Sequence, residues 1–180
     1  DTSAHPPGKN RMQILIIRHA VAEDRDEFAR TGKSDDLRPL TTRGRERMQK
    51  GANGLARLTS IDLLGHSPLT RARQTARIVN KAFRDAQMLE IPELAPGRGV
   101  ETVGHWLGFV SREATVALVG HEPDLGELVA WLTTGSTRPF LYPKKGSAIM
   151  LECPERPGPG SATLSWAATP RHLRLLGSNR

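Results

Sequence analysis

Cysteine is almost missing from this sequence: one residue in 180, Cys153, which excludes a disulfide scaffold, a zinc ribbon and an iron–sulfur protein. Aromatic residues are nearly as scarce, at 4% of the chain, which argues against a surface that stacks nucleic-acid bases. No apolar run approaches the roughly 18 residues of a membrane span. Positions 1–10, Asp-Thr-Ser-Ala-His-Pro-Pro-Gly-Lys-Asn, lack the apolar stretch of a signal peptide. They are expected to form a mobile tail ahead of a single domain over 11–180, in a cytoplasmic protein with neither membrane nor nucleic acid as partner.

Acids are thin in one segment. Between residues 38 and 84 only Glu46 and Asp62 are acidic, against 11 basic residues. The whole chain has Lys+Arg 26 and Asp+Glu 19, a formal +7. The excess is concentrated in residues 1–90, with 17 basic and 11 acidic residues, whereas residues 91–180 have 9 and 8. Such a block suits nucleic acid, an anionic lipid surface or a phosphorylated substrate. Most of these arginines recur at helical spacing, so a solvated helix face is the plain reading of any one of them.

What is present is an alternation of short apolar runs and helical periodicity. Ile14-Leu15-Ile16-Ile17 reads as a central strand covered on both faces, and Ile61–His66 and Val116–Val119 read as two more. A polar stretch over 23–37, expected to be mobile, precedes a helix capped by Thr41 or Thr42. That helix should run to about Leu58 with Met48, Leu55 and Leu58 inward, its regularity weakened by Gly44, Gly51 and Gly54. Further helices are expected over 69–85 (Ala72, Ala76, Val79 and Phe83 inward), over 100–112 (Val103, Trp106, Leu107, Val110), and after Pro123 (Leu125, Leu128, Val129, Leu132). Ala148–Leu151 and Thr163–Trp166 read as paired strands around a Pro/Gly-rich loop, 154–160, with Cys153 in a turn. The expected fold class is α/β: a three-layer α/β/α sandwich with a mostly parallel sheet and an antiparallel C-terminal edge.

Several polar residues fall just past the C-terminal ends of these strands, the edge at which open parallel sheets bind ligands. Arg18-His19 follows the first, Ser67 and Arg71 the second, and His121 the 116–119 strand. A neutral imidazole, with an unperturbed pKa of about 6.5, is a good nucleophile near neutrality. Guanidinium groups match phosphate oxygens with fixed bidentate forks. A second histidine, if protonated, adds a donor to the equatorial oxygens. The chemistry this set suits is phosphoryl transfer by positioning and electrostatic stabilisation, with no metal or other cofactor.

The motifs have a family order. Ile17-Arg18-His19-Ala20, Arg38-Pro39-Leu40-Thr41-x-x-Gly44, Ser67-Pro68-Leu69-x-Arg71-Ala72-x-Gln74-Thr75-Ala76 and Gly120-His121 together resemble the histidine phosphatase superfamily, which includes the phosphoglycerate mutases. Trp166-x-x-x-Pro170 is similar to the SixA-like branch. Ala20 departs from the glycine usual at that position, a small change in backbone freedom. The resemblance implies that His19 is a nucleophile forming a phosphohistidine, and that Arg18, Arg71 and His121 hold the phosphoryl group. It also implies a proton-donating acid at Glu93, with Asp24 and Glu23 as rivals. Arg38 either faces the phosphate or packs at the start of the following helix against Pro39.

Arg71 and His121 are 50 positions apart, and strand and helix patterns fill that interval. No room is left for the helical cap with which mutases and broad phosphatases enclose small substrates. The resemblance therefore implies a phosphatase acting on phosphohistidine of proteins such as phosphotransfer domains, in signal transduction, with inorganic phosphate as product. The alternatives are a small-molecule phosphomonoesterase with a shallow site and, in another class, a non-catalytic basic binding module. The remaining histidines read differently. His66 is expected to be structural, His105 lies in a helical pattern, and His5 and His172 lie near the ends. His121-Glu122-x-Asp124 lacks the spacing of a metal site.

Overall fold

The computed structural model describes residues 11–84, 86–154 and 156–178; the 1–10 segment expected to be a mobile tail, with His5, lies outside the described residues. The elements in chain order are β1 (Met12–Arg18), α1 (Arg25–Ala29), a 3-10 turn Asp35–Leu37, α2 (Thr42–Leu55), β2 (Leu63–His66) and α3 (Thr70–Ala82). Then come β3 (Gln87–Glu90), a 3-10 turn Pro92–Leu94, α4 (Val100–Leu107), β4 (Thr115–Gly120), α5 (Asp124–Thr134), β5 (Ala148–Cys153), β6 (Thr163–Ala168) and α6 (Pro170–Ser178). The strands form one sheet in the order β3-β2-β4-β1-β5-β6. β3, β2, β4 and β1 are mutually parallel, and β5 and β6 continue the sheet antiparallel.

The two alternating faces of the central strands account for the layers. Ile14, Ile16, Val116 and Leu118 pack with Val103 and Leu107 of α4 and Leu125, Leu128 and Leu132 of α5. Leu15, Ile17, Ala117 and Val119 point the other way, against Met48 and Leu55 of α2, Ala76 and Val79 of α3, and Leu173 of α6. β1 and β4 are apolar on both faces because both faces are covered. The α/β/α sandwich with an antiparallel edge is as the sequence predicts. Among the described residues between Arg71 and His121 the chain builds only strands and helices of this sandwich and one 3-10 turn, with no inserted helical cap.

Local expectations fare less evenly. Thr41 does cap α2, its Oγ1 accepting from the Gly44 N–H at 2.9 Å. The helix stops at Leu55, however, and Leu58 is 44% exposed rather than inward. The 100–112 helix ends at Leu107, where Gly108 caps it. Cys153 is not in a turn but is the buried last residue of β5. The 23–37 stretch is ordered structure: Asp24 Oδ1 caps α1 by accepting from the Asp26 and Glu27 N–H groups, and the 3-10 turn Asp35–Leu37 follows.

Gly54 of α2 proves to be a packing device. A Cβ on Gly54 would collide with the Leu173 carbonyl oxygen of α6, and one on Gly177 with the Lys50 carbonyl oxygen of α2. The two helices thus cross backbone to backbone, which any side chain at either glycine would prevent.

Candidate active site

β1 and β4 are adjacent and parallel, with Arg18 opposite Gly120 in register. Their C-terminal ends therefore deliver the next residues, His19 and His121, side by side. The His19 N–H extends the ladder by donating to the Gly120 carbonyl at 3.0 Å. The two imidazoles lie with centroids 5.1 Å apart and planes tilted by 52°. Ser67, just past β2, continues the same edge; its N–H donates to the Val119 carbonyl and its Oγ is 2.8 Å from His121 Nε2.

His19 has one assigned tautomer when neutral. Its Nδ1 is 2.7 Å from the Ala20 carbonyl oxygen, which can only accept, so Nδ1 carries the proton and Nε2 keeps its lone pair. Burial, together with the charges of Arg71, Arg18 and Lys145, outweighs that hydrogen bond and pushes the His19 pKa down to about 3. His121 is also pushed to about 3, by burial first and then by His19, Arg71 and Arg18. Both rings are consequently neutral at pH 7. A charged His121, the condition for its extra donor, is not the resting form, because the site is buried and cations surround it. An entering anion would work in the opposite direction.

The motif residues between these side chains fix the loops that carry them. Thr75 Oγ1 accepts from the Ala20 N–H at 3.0 Å and donates to the Arg71 carbonyl at 2.7 Å, tying the segment after His19 to α3. Gln74 Oε1 accepts from the Leu40 N–H at 2.8 Å, holding the Arg38–Thr41 segment to the same helix.

Arg18 leaves β1 half-buried, with Nη1 donating to the Pro143 carbonyl at 2.9 Å. Arg71 is buried on the first turn of α3. Its Nη1 donates to the Asp35 carbonyl at 3.0 Å, and its Nη2 lies 3.1 Å from Asp35 Oδ2. Arg38, also buried, gives Nε to Asp35 Oδ1 at 2.7 Å and Nη1 to the Glu23 carbonyl at 2.7 Å. With these bonds Arg38 braces Asp35 and the 23–37 loop. Partial burial raises the Asp35 carboxyl, but the Arg38 hydrogen bond and the charges of Arg71, Arg38 and Arg25 prevail and hold it below the usual carboxylate range. Asp35 thus joins two buried arginines, and, as one acid in a polar loop, it gives no periodic signal in the sequence.

Three buried nitrogens of this set, Arg18 Nε, Arg71 Nε and His121 Nδ1, have no hydrogen-bond partner among the described residues. An edge with two neutral imidazoles, one bearing a free Nε2, and two guanidinium groups can attack phosphorus and stabilise its oxygens.

The acids divide. Glu93, on the turn after β3, lines a small cleft together with His121 and Asp124. The Asp24 carboxylate is engaged as the α1 cap, and the hydrogen bond from the Glu27 N–H is the largest reason its pKa lies below the ordinary value. The exposed Glu23 contributes its backbone carbonyl to Arg38. Glu122, beside His121 in sequence, is half-buried with Oε1 accepting from the Gly126 N–H at 3.0 Å. Burial raises its pKa to about 7, although Arg18 opposes this. His66 is buried with Nδ1 donating to the Ser67 carbonyl at 2.8 Å, consistent with a structural residue. His105 packs edge-on to Phe109 at the surface. Among the described residues, no group of three or more His, Cys, Asp or Glu is placed to hold a metal ion, and no helix is long and apolar enough to cross a membrane.

A histidine- and arginine-lined edge of this kind on an α/β/α sandwich defines a class, and comparison with known proteins agrees with it. The family model described as histidine phosphatase superfamily (branch 1) matches residues 14–96. An uncharacterized protein of a Picosynechococcus species is 37% identical over 93% of this chain and 96% of its own length. Phosphohistidine phosphatase SixA of Escherichia coli is 32% identical over 91% of this chain and 98% of its own. A solved structure of the protein histidine phosphatase SixA complexed with tungstate superposes with a TM-score of 0.75 at 31% identity, covering 90% of this chain and 99% of that one. The chain belongs to the histidine phosphatase superfamily. Within it the chain is SixA-like, a metal-independent phosphatase.

Proposed function

We propose that this phosphatase removes the phosphoryl group from phosphohistidine on a protein, through a phosphohistidine formed on its own His19. The observation that carries the mechanism is the Nδ1–Ala20 hydrogen bond, which leaves Nε2 as the free lone pair beside Arg18, Arg71 and His121. His19 Nε2 attacks phosphorus, and the bond from phosphorus to the substrate's ring nitrogen breaks. That imidazole leaves neutral once its other nitrogen is protonated. Water then attacks phosphorus, the bond to His19 Nε2 breaks, and inorganic phosphate departs. Arg18, Arg71 and His121 hold the equatorial oxygens throughout.

The substrate class is supported by the absence of an inserted cap between Arg71 and His121, which leaves the edge open to a side chain projecting from a protein surface. The SixA relatives, named for phosphohistidine and protein histidine phosphatase activity, support the same reading. A cytoplasmic signalling role, with a phosphotransfer domain as partner and a single domain over 11–180, completes the proposal. The test is a comparison of kcat/KM for a phosphohistidine protein, a phosphoserine peptide and sugar phosphates. The phosphohistidine protein should lead, and acid-labile, base-stable label should be trapped on His19. Preference for a sugar phosphate would move the assignment to a small-molecule phosphomonoesterase. Label on another residue would remove His19 as nucleophile.

A further inference from the structure

Next to the catalytic edge lies an open groove of about 500 Å³ built by three separated parts of the chain. α2 supplies Arg47, the segment before β5 supplies Lys144 and Lys145, and α6 supplies Arg171 and Arg174. No Asp or Glu lines it. Among the described residues, Arg47, Lys144, Arg171 and Arg174 have no carboxylate partner. Like charges gathered on one concavity by α2, α6 and a loop repel one another. A solvated helix face explains a single arginine, but not this convergence from three elements.

The groove is continuous with the site. Ala20 and Val21, the residues after His19, form part of its wall. Lys145 spans the two: it is close enough to lower the His19 pKa, and its own is lowered by partial burial and by Arg18, Arg38, Arg25 and Arg71.

We infer that this groove docks an acidic stretch of the protein substrate, lying beside the phosphohistidine as it enters the catalytic edge. The inference rests on the proposed substrate class and adds its recognition chemistry. The volume exceeds what one phosphate needs, so an extended carboxylate-rich segment fits it better than a second small anion. No Phe, Tyr or Trp lines the groove, so it offers no stacking platform for single-stranded nucleic acid. Charge complementarity of this kind acts chiefly on encounter and orientation, and so belongs in KM rather than in the chemical step.

The test uses R47E/R171E, both exposed positions outside the catalytic set, and R84E/R112E as an equal charge change at exposed positions ahead of β3 and β4, at the N-terminal ends of the strands. A fluorescent Glu/Asp-rich peptide should bind the wild type at low salt. Binding should weaken at least ten-fold in R47E/R171E or on raising salt, and stay unchanged in R84E/R112E. Turnover of an aryl phosphate should be unchanged in both variants, which also reports that they fold. With a phosphohistidine phosphotransfer domain, R47E/R171E should raise KM at least ten-fold and leave kcat unaltered. Unweakened peptide binding, unchanged KM on the phosphoprotein, or equal losses in R84E/R112E would each overturn the groove assignment. Preferential capture of an RNA oligonucleotide of equal charge would overturn its occupant. A wild type that hydrolyses aryl phosphate and binds the acidic peptide in the groove, but does not hydrolyse the phosphohistidine protein, would overturn the substrate class alone.

Discussion

Asp35 holds Arg71 at two points, the backbone carbonyl at 3.0 Å and the carboxylate at 3.1 Å, across 36 residues of sequence. The second carboxylate oxygen is taken by Arg38 at 2.7 Å, so the guanidinium of Arg71 is aimed by an acid that is itself braced. An arginine held in this way is preorganised, and preorganisation is what makes such a donor effective in a transition state. Removing the donor, in Arg71→Ala, is expected to lower kcat/KM on an aryl phosphate by about 10²–10³. Asp35→Asn, which keeps the shape but releases the charge, is expected to cost up to about 10² through misplacement of Arg71. Both variants should also weaken inhibition by vanadate. Near-normal kcat/KM in Arg71→Ala would remove it from the site, and unaltered vanadate inhibition in Asp35→Asn would remove the positioning role.

How much of this was legible in the sequence follows from the kind of signal each element carries. β1 and β4 are buried on both faces, so Ile14–Ile17 and Val116–Val119 announce them, and with them the places of His19 and His121. β3 leaves no apolar run to read, because three of its four residues are exposed. α6 carries little helical signal beyond Pro170, because only Leu173 of its residues is buried. The 23–37 stretch is ordered without a sequence signature, because side-chain caps and the Asp35–Arg38–Arg71 cluster stabilise it, and polar networks have no periodicity. Glu122 reads in the sequence only as a candidate metal ligand, since the burial that raises its pKa is a tertiary effect.

The histidine pair makes a spectroscopic prediction. Nitrogen NMR of the ring should show His19 as the Nδ1–H tautomer with Nε2 unprotonated at pH 6. It should remain so at pH 5, where an exposed histidine with a pKa of about 6.5 is largely charged. The sign for stability follows: a folded-state pKa of about 3 means that the unfolded chain takes up protons first. The contribution of both rings is therefore present above about pH 6.5 and lost progressively as the pH falls toward 3. Titration of His19 near 6.5, or an Nε2–H tautomer, would contradict the assigned geometry.

Glu122 should act oppositely. Its pKa is raised on folding to about 7, so between the ordinary carboxylate range and neutrality the folded protein binds the extra proton. Its contribution is full at low pH and is lost as the pH rises through about 7. Glu122→Gln keeps an oxygen for the Gly126 N–H and removes the charge. The variant should gain Tm over wild type at pH 8 and show no such gain at pH 5. A gain of equal size at both pH values would mean that ionisation is not its cause.

The α2–α6 crossing gives a packing prediction. Gly54→Ala places a methyl on the Leu173 carbonyl oxygen, a backbone atom that cannot move without shifting α6. Overpacking of this kind costs typically about 1–3 kcal/mol, more than the helix-propensity gain of about 1 kcal/mol for alanine over glycine. The expected result is a lower denaturant midpoint, whereas Gly32→Ser, in a loop with open space but a positive φ of 71°, should cost less. A stabilised Gly54→Ala would mean that α6 does not rest on α2 in this way.

The last prediction separates leaving groups. An alkoxide leaving group has a high pKa and needs a well-placed donor, whereas imidazole leaves once its ring nitrogen is protonated. Glu93 shares a cleft with His121 but makes no hydrogen bond to it, a placement suited to an acid that helps without being indispensable. Glu93→Gln is therefore expected to slow hydrolysis of an alkyl phosphate far more than hydrolysis of a phosphohistidine protein. The measurement is a pair of mutant-to-wild-type kcat/KM ratios. Equal losses of roughly 10² on both substrates would make Glu93 an obligatory acid and remove this support for phosphohistidine as substrate. No loss on either would shift the donor to another acid, and Glu122 is the first to change, because its pKa of about 7 keeps it partly protonated at neutrality. Asp24 would follow it, although its oxygen would first have to leave the α1 cap.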